Sequence, residues 1–147
     1  MVIKKIAFAS DHAGYQLKRK IIAFLEKSGY ECKDFGSHSD EAVDYPDFAH
    51  PLSSAIENGE FELGITFCGS GNGINMAANK HKGIRSAVCW NPEISKLARL
   101  HNNANVCAIP ARFIDEATAQ EVVKLFLTTE FEGGRHQGRI DKINCAC

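Results

Sequence analysis

Residues 64–78 restrict what this chain can become more than any other stretch. Gly64-Ile65-Thr66-Phe67 has the composition of a strand, Cys68-Gly69-Ser70-Gly71-Asn72-Gly73 breaks it with alternate glycines, and Ile74-Asn75-Met76-Ala77-Ala78 suits a helix. Strand, tight turn and helix start follow one another directly. Such a turn exposes a row of backbone N–H groups at the positive end of the helix dipole, where an anion or a developing oxyanion is held. Cys68 stands at its entrance, and the same groups favour its thiolate.

Better-known glycine turns do not fit the spacing. A dinucleotide fingerprint starting at Gly69 needs glycine at 74, and a cysteine-phosphatase loop needs arginine there; the chain has Ile74. A P-loop needs Lys followed by Ser or Thr after its last glycine, whereas Gly73 is followed by Ile74-Asn75. The remaining choice is between a chemical turn and a glycine turn made for close packing, with Cys68 as a small buried residue.

The alternation extends along the chain. Strand signals cover 3–9, 30–35, 61–67, 84–90 and 105–109, separated by helical patterns near 15–28, 45–59, 74–80, 92–100 and 114–128. In the first helix Leu17, Ile21, Ile22, Phe24 and Leu25 form the apolar side, with Lys18, Arg19, Lys20 and Lys27 expected in solvent. Pro51 is an objection to the second helix, since it removes a hydrogen bond. The pattern predicts an α/β three-layer domain with a five-stranded parallel sheet covered on both faces. With 147 residues, 44% hydrophobic and 24% charged, one domain over 1–147 is expected. A net charge of -1 supplies no basic field for nucleic acid. No run approaches the roughly 20 apolar residues of a membrane span, and no signal-like segment opens the chain, so a cytoplasmic protein is expected. The six cysteines form no C-x-x-C pair and read as free thiols, with Cys32, Cys89 and Cys107 in the core and Cys145 and Cys147 in the tail.

Ligands of such sheets bind outside the carboxyl ends of the strands, where strand order reverses. The loops there are polar: Asp11 and His12 after the first strand, 68–73 after the third, Arg112 after the fifth. His101 and Asn102, near the end of the fourth helix, are expected to converge on the same edge. Arg135 and Arg139 lie four apart in the tail and share a face if it is helical. Bland readings exist for each: Asp11 as a helix cap, His101 as a partner of the helix dipole, Tyr45 as a packing residue, the arginine pair as a solvated surface. His38, His50 and His81 read as surface residues.

Taken together, Ser10-Asp11-His12-Ala13-Gly14, Asp44-Tyr45-Pro46, Cys68-Gly69-Ser70-Gly71-Asn72-Gly73, Ala77-Ala78-Asn79-Lys80, Gly83-Ile84-Arg85, His101-Asn102 and Glu132-Gly133-Gly134-Arg135-His136-Gln137 give the chain a clear likeness. It resembles the ribose-5-phosphate isomerase B and galactose-6-phosphate isomerase family over nearly its whole length. The resemblance implies a Rossmann- or flavodoxin-like domain with an extended C-terminal helix. It also implies a homodimer, possibly a tetramer, with residues of both chains in each site and residues 130–147 packed on the partner. Neither metal nor organic cofactor is implied. Cys68 matches the base that moves a proton between C1 and C2, and His101 the group that opens the sugar ring, with Asp11 close by. Ser70, where relatives often carry threonine, keeps the hydroxyl that passes a proton between O1 and O2. Tyr45 and Asn102 match sugar contacts, and Gly69, Ser70, Gly71, Asn72 and Gly73 the turn that holds the enediolate. His12, Arg112, Arg135 and Arg139 match the phosphate set. Ribose 5-phosphate is the expected substrate; a six-carbon phosphate such as allose or galactose 6-phosphate, or a non-catalytic sugar-phosphate sensor, are the alternatives.

Overall fold

A parallel strand with helices on both sides must be apolar throughout, and β3 (Leu63–Cys68) is buried at every position. The computed structural model describes residues 4–145. β3 is the centre of one parallel sheet with β1 (Lys5–Ser10), β2 (Glu31–Asp34), β4 (Ser86–Val88) and β5 (Val106–Pro110), in the order β2-β1-β3-β5-β4. Six helices accompany it: α1 (Tyr15–Lys27), α2 (Pro46–Glu57), α3 (Asn72–Ala78), α4 (Pro92–Asn102), α5 (Glu116–Thr128) and α6 (Arg135–Ile140). The order begins like the flavodoxin arrangement, 2-1-3, and then exchanges the last two strands.

Side chains alternate across the sheet and separate two cores. On one face Ile6, Phe8, Ile65, Phe67, Cys107 and Ile109 pack with Ile21 and Leu25 of α1 and Val122 and Phe126 of α5. On the other, Ala7, Ala9 and Val106 meet Leu52, Ala55 and Ile56 of α2 and Ala78 of α3. Local signals set the helix starts. Asn91 Oδ1 accepts from Ile94 N at 2.9 Å and Asp115 Oδ1 from Thr118 N at 2.7 Å, while Pro46 and Pro92 sit in first turns.

Three features depart from the sequence pattern, and the objection raised by Pro51 is answered. β4 is only three residues long, because Arg85 leaves the strand to bond Asn105 with its backbone N–H. α2 runs through Pro51, which is exposed, so the lost hydrogen bond falls on the wet side. α6 is six residues, not an extended helix: it starts after Gly133 and Gly134, both at positive φ, and ends in a turn at Asp141. Lys18, expected in solvent, is fully buried, with Nζ donating to Asp34 Oδ1 at 2.8 Å and Ser37 O at 2.6 Å. Burial lowers its pKa, and Asp34 offsets part of that. Cys32, Cys68, Cys89 and Cys107 are free thiols as expected; Cys145 is disulfide-bonded, and Cys147 lies outside the described residues. No described helix is long and apolar enough to cross a membrane.

Removing one partner of a buried ion pair leaves an uncompensated charge, so Asp34→Ala is expected to destabilise the protein by about 3 kcal/mol. A shift in the urea midpoint at constant slope measures it.

Candidate active site

β1 pairs with β2 on one side and β3 on the other, so strand order reverses between β1 and β3. A cavity of about 570 Å³ opens there, at the carboxyl ends of both strands. Asp11, His12, Tyr45, Cys68, Gly69, Ser70, Gly73 and Arg112 line it, with Ala13, Val43, Asp44 and Phe113.

Two loops must come close to make this cavity. Gly14 permits it: a β-carbon there would lie 2.5 Å from Phe67 Cβ and 2.6 Å from Phe67 C and O, so only glycine lets the 11–14 loop rest on the β3 backbone. Asp11 N donates to Phe67 O at 3.2 Å, and Asp11 Oδ1 accepts from Gly14 N at 3.0 Å, which turns the loop and fixes a carboxylate only 7% exposed. His12 Nδ1 accepts from Val43 N at 3.2 Å. The neutral ring therefore carries its proton on Nε2, as a hydrogen-bond donor to a ligand.

Cys68 is 4% exposed and packs with Ala49, Ile74 and Ala108, yet borders the cavity. The other thiols are not placed for chemistry: burial, then Glu26 and Glu31, push Cys32 up to about 12, and burial with Cys89 raises Cys107. Beyond Cys68 the chain reverses through Gly71 at φ 78°, where a side chain would be strained. Asn72 N donates to Ser70 Oγ at 3.2 Å, so that amide is already engaged. The amides of Gly69, Ser70 and Gly71 make no hydrogen bond among the described residues. Those of Gly69 and Ser70 border the cavity and are free to meet an oxyanion, whereas Gly71 and Asn72 of the expected turn do not line it. Arg112 lies over Gly69, where an added β-carbon would sit 3.1 Å from Nη1, and Tyr45 lies over Gly73, where the same atom would be 2.5 Å from the ring Cζ. Both glycines leave room for the side chain that covers them.

The rest of the expected site is elsewhere, which corrects the convergence on one edge. A crossover helix runs against its strands, so α4 ends at the amino edge of the sheet, where β5 begins. His101 and Asn102 lie there, and Arg135 and Arg139 stand exposed on α6, which packs on α4. The five residues of β5 span about 17 Å, beyond the reach of a hydrogen-bonding side chain. Asn102 borders a separate cavity of about 310 Å³ beside Arg85 and Ile143. Within one chain the two sets do not meet.

The chain matches the ribose/galactose isomerase family model over residues 6–143. It belongs to that family. It is 44% identical to ribose-5-phosphate isomerase B of Escherichia coli K12, covering 96% of this chain and 95% of the relative. Among solved structures, ribose-5-phosphate isomerase B of Clostridium thermocellum is 49% identical with a TM-score of 0.93, covering 95% of this chain and 94% of that one. The Mycoplasma genitalium enzyme, solved with bound ribulose-5-phosphate, is 42% identical with a TM-score of 0.90, covering 95% and 93%. Membership bears out the likeness drawn from the motifs. Pattern reading missed the backbone of Val43, which orients His12, because a main-chain donor leaves no mark in a sequence. It also missed Phe113, 76% exposed beside the cavity; an aromatic next to Arg112 in a strand-end loop was the available signal.

Gly73→Ala forces Tyr45 away, and an increase in KM of about tenfold with kcat little changed is expected from steady-state kinetics on a sugar phosphate.

Proposed function

We propose that the chain interconverts ribose 5-phosphate and ribulose 5-phosphate through an enediolate, without a cofactor. The carrying observation is the cavity at the strand reversal, where one thiol, one buried carboxylate, unengaged amides and an arginine meet in a family of sugar-phosphate isomerases. Ribulose-5-phosphate in the Mycoplasma genitalium structure supports the substrate class.

The reaction has two parts. His101 takes the proton of the anomeric hydroxyl and returns it to the ring oxygen, opening the sugar. The Cys68 thiolate then removes the proton from C2 of the aldose; the C1 carbonyl oxygen takes up the displaced electron pair, and the amides of Gly69 and Ser70 hold that charge. Ser70 passes a proton from O2 to O1, and the Cys68 thiol returns its proton to C1, giving the ketose and restoring the thiolate. Asp11 and Tyr45 orient the hydroxyls. His12 donates through Nε2 to the phosphate, with Arg112 beside it.

His101, Asn102, Arg135 and Arg139 serve the cavity of a second copy in a homodimer. Two observations support this: their place on the opposite edge, and the exposed apolar residues Met76 (64%), Trp90 (53%), Phe113 (76%) and Ile143 (53%), which one chain leaves in water. The C-terminal segment, including α6, packs on the partner.

Cys68→Ala and His101→Ala are each expected to lower kcat by about 10²–10⁴-fold on ring-closed ribose 5-phosphate. A mixed dimer carrying one of these substitutions in each subunit contains one intact site and is expected to recover about half of the wild-type rate per dimer. Full activity of Cys68→Ala would remove the base from this scheme, and a mixed dimer without recovery would remove the shared site.

A further inference from the structure

The proposed reaction uses only one member of a cluster on the amino edge. His101 lies at the end of α4, Glu132 follows α5 with its backbone N–H on Leu100 O (3.1 Å), and His136 is the second residue of α6. The return of the chain past α4 brings the three together. The two imidazoles stack, centroids 4.3 Å apart and 17° from parallel. Glu132 Oε2 lies 3.4 Å from His136 Nε2 and 3.7 Å from His101 Nε2. Both distances exceed the roughly 2.7–3.2 Å of an N–H···O bond. His136 Nε2 is accordingly a buried nitrogen without a hydrogen-bond partner, on a side chain 6% exposed. Leaving it so is costly.

The spacing fits a different occupant. Donors about 2.1 Å from a tetrahedral metal are about 3.4 Å apart, and a wider angle at the metal stretches that edge to about 3.7 Å. All three donor atoms lie within 4.8 Å of one another. Binding both imidazoles to one ion requires the His101 ring, 39% exposed, to turn out of the stack. Two imidazoles and one carboxylate suit zinc and its neighbours, and three protein ligands leave a position for water.

Other clusters do not ask for an ion in this way. Glu57, His81 and His50 are already joined by contacts of 2.8 Å each. Arg85 and Arg99 donate to backbone carbonyls around the end of α4, and Arg99 also to Thr129 O at the end of α5.

We propose that His101, Glu132 and His136 bind a divalent transition-metal ion of the zinc class, and that this ion inhibits the isomerase by occupying the imidazole nitrogen that opens the sugar ring. The inhibitory half rests on the role proposed for His101; the binding half rests on the cluster alone.

The test titrates the metal-stripped full-length protein with Co²⁺, followed by the visible absorption of a tetrahedral cobalt site, and with Zn²⁺ by calorimetry. One ion per chain is expected, with affinity reduced about 10–100-fold by Glu132→Gln, an exposed position, and by His136→Asn, and unchanged by His81→Ala. Unchanged affinity in both Glu132→Gln and His136→Asn, or loss only in Cys68→Ser or His81→Ala, overturns the site. In the activity arm, Zn²⁺ lowers turnover of ring-closed ribose 5-phosphate, a chelator restores it, and Glu132→Gln shifts the inhibition to higher Zn²⁺ by the same factor. Binding with the expected variant pattern but without inhibition overturns the inhibitory half and the ring-opening role of His101, and leaves the metal site standing.

Discussion

The close contact between Gly14 and the backbone of Phe67 is the constraint on which the cavity depends. Chains leaving adjacent strands at a reversal of strand order head for opposite faces of the sheet. Here the first loop is pressed back onto β3, and the Asp11 N–H to Phe67 O bond continues contact past the end of β1. A carboxylate and an imidazole are thereby set beside the thiol at the end of β3. The buried Lys18 works beneath the same loops: its ammonium ties α1 to Asp34 at the end of β2 and to the Ser37 carbonyl, and Ser37 N in turn bonds Ser10 O. A charge hidden under the site thus braces the chain that carries Asp11.

The division of the polar residues between two edges is a product of parallel topology. Every strand of the sheet points the same way and every crossover helix returns, so residues just past a strand and residues that close a helix are kept a strand length apart. The cavity has the turn, the thiol and one arginine. The amino edge has the second histidine, Asn102 and two solvent-facing arginines, with no acidic partner for either arginine among the described residues. The two sets, on opposite edges of one chain, are complementary in the way the proposed two-fold assembly requires.

Much of this is legible in the residues. The glycine-broken run at 68–73 announced a strand, turn and helix, and the alternation of apolar runs announced the parallel sheet; both signals come from local sterics and periodicity. The caps at Asn91 and Asp115 are likewise local. The features that escaped have long-range causes. Lys18 looks like its solvated neighbours until β2 brings Asp34 to it. Asp11, which could have been a simple cap, both turns its loop and borders the cavity, a double role that depends on β3 lying alongside. His101 and Asn102 read as neighbours of the cavity because spacing in sequence does not say which end of the sheet a residue occupies. β4 read as seven residues from composition and retained three, since Arg85 and Asn105 use the intervening backbone for a side-chain clasp.

The shortness of β4 has a consequence for how copies of the chain can associate. It is one of the two edge strands, paired on one flank only, and three residues offer too few free amide and carbonyl groups to template a neighbouring sheet. Growth by strand addition is therefore disfavoured at this border, unlike packing through exposed apolar side chains such as Met76 and Trp90.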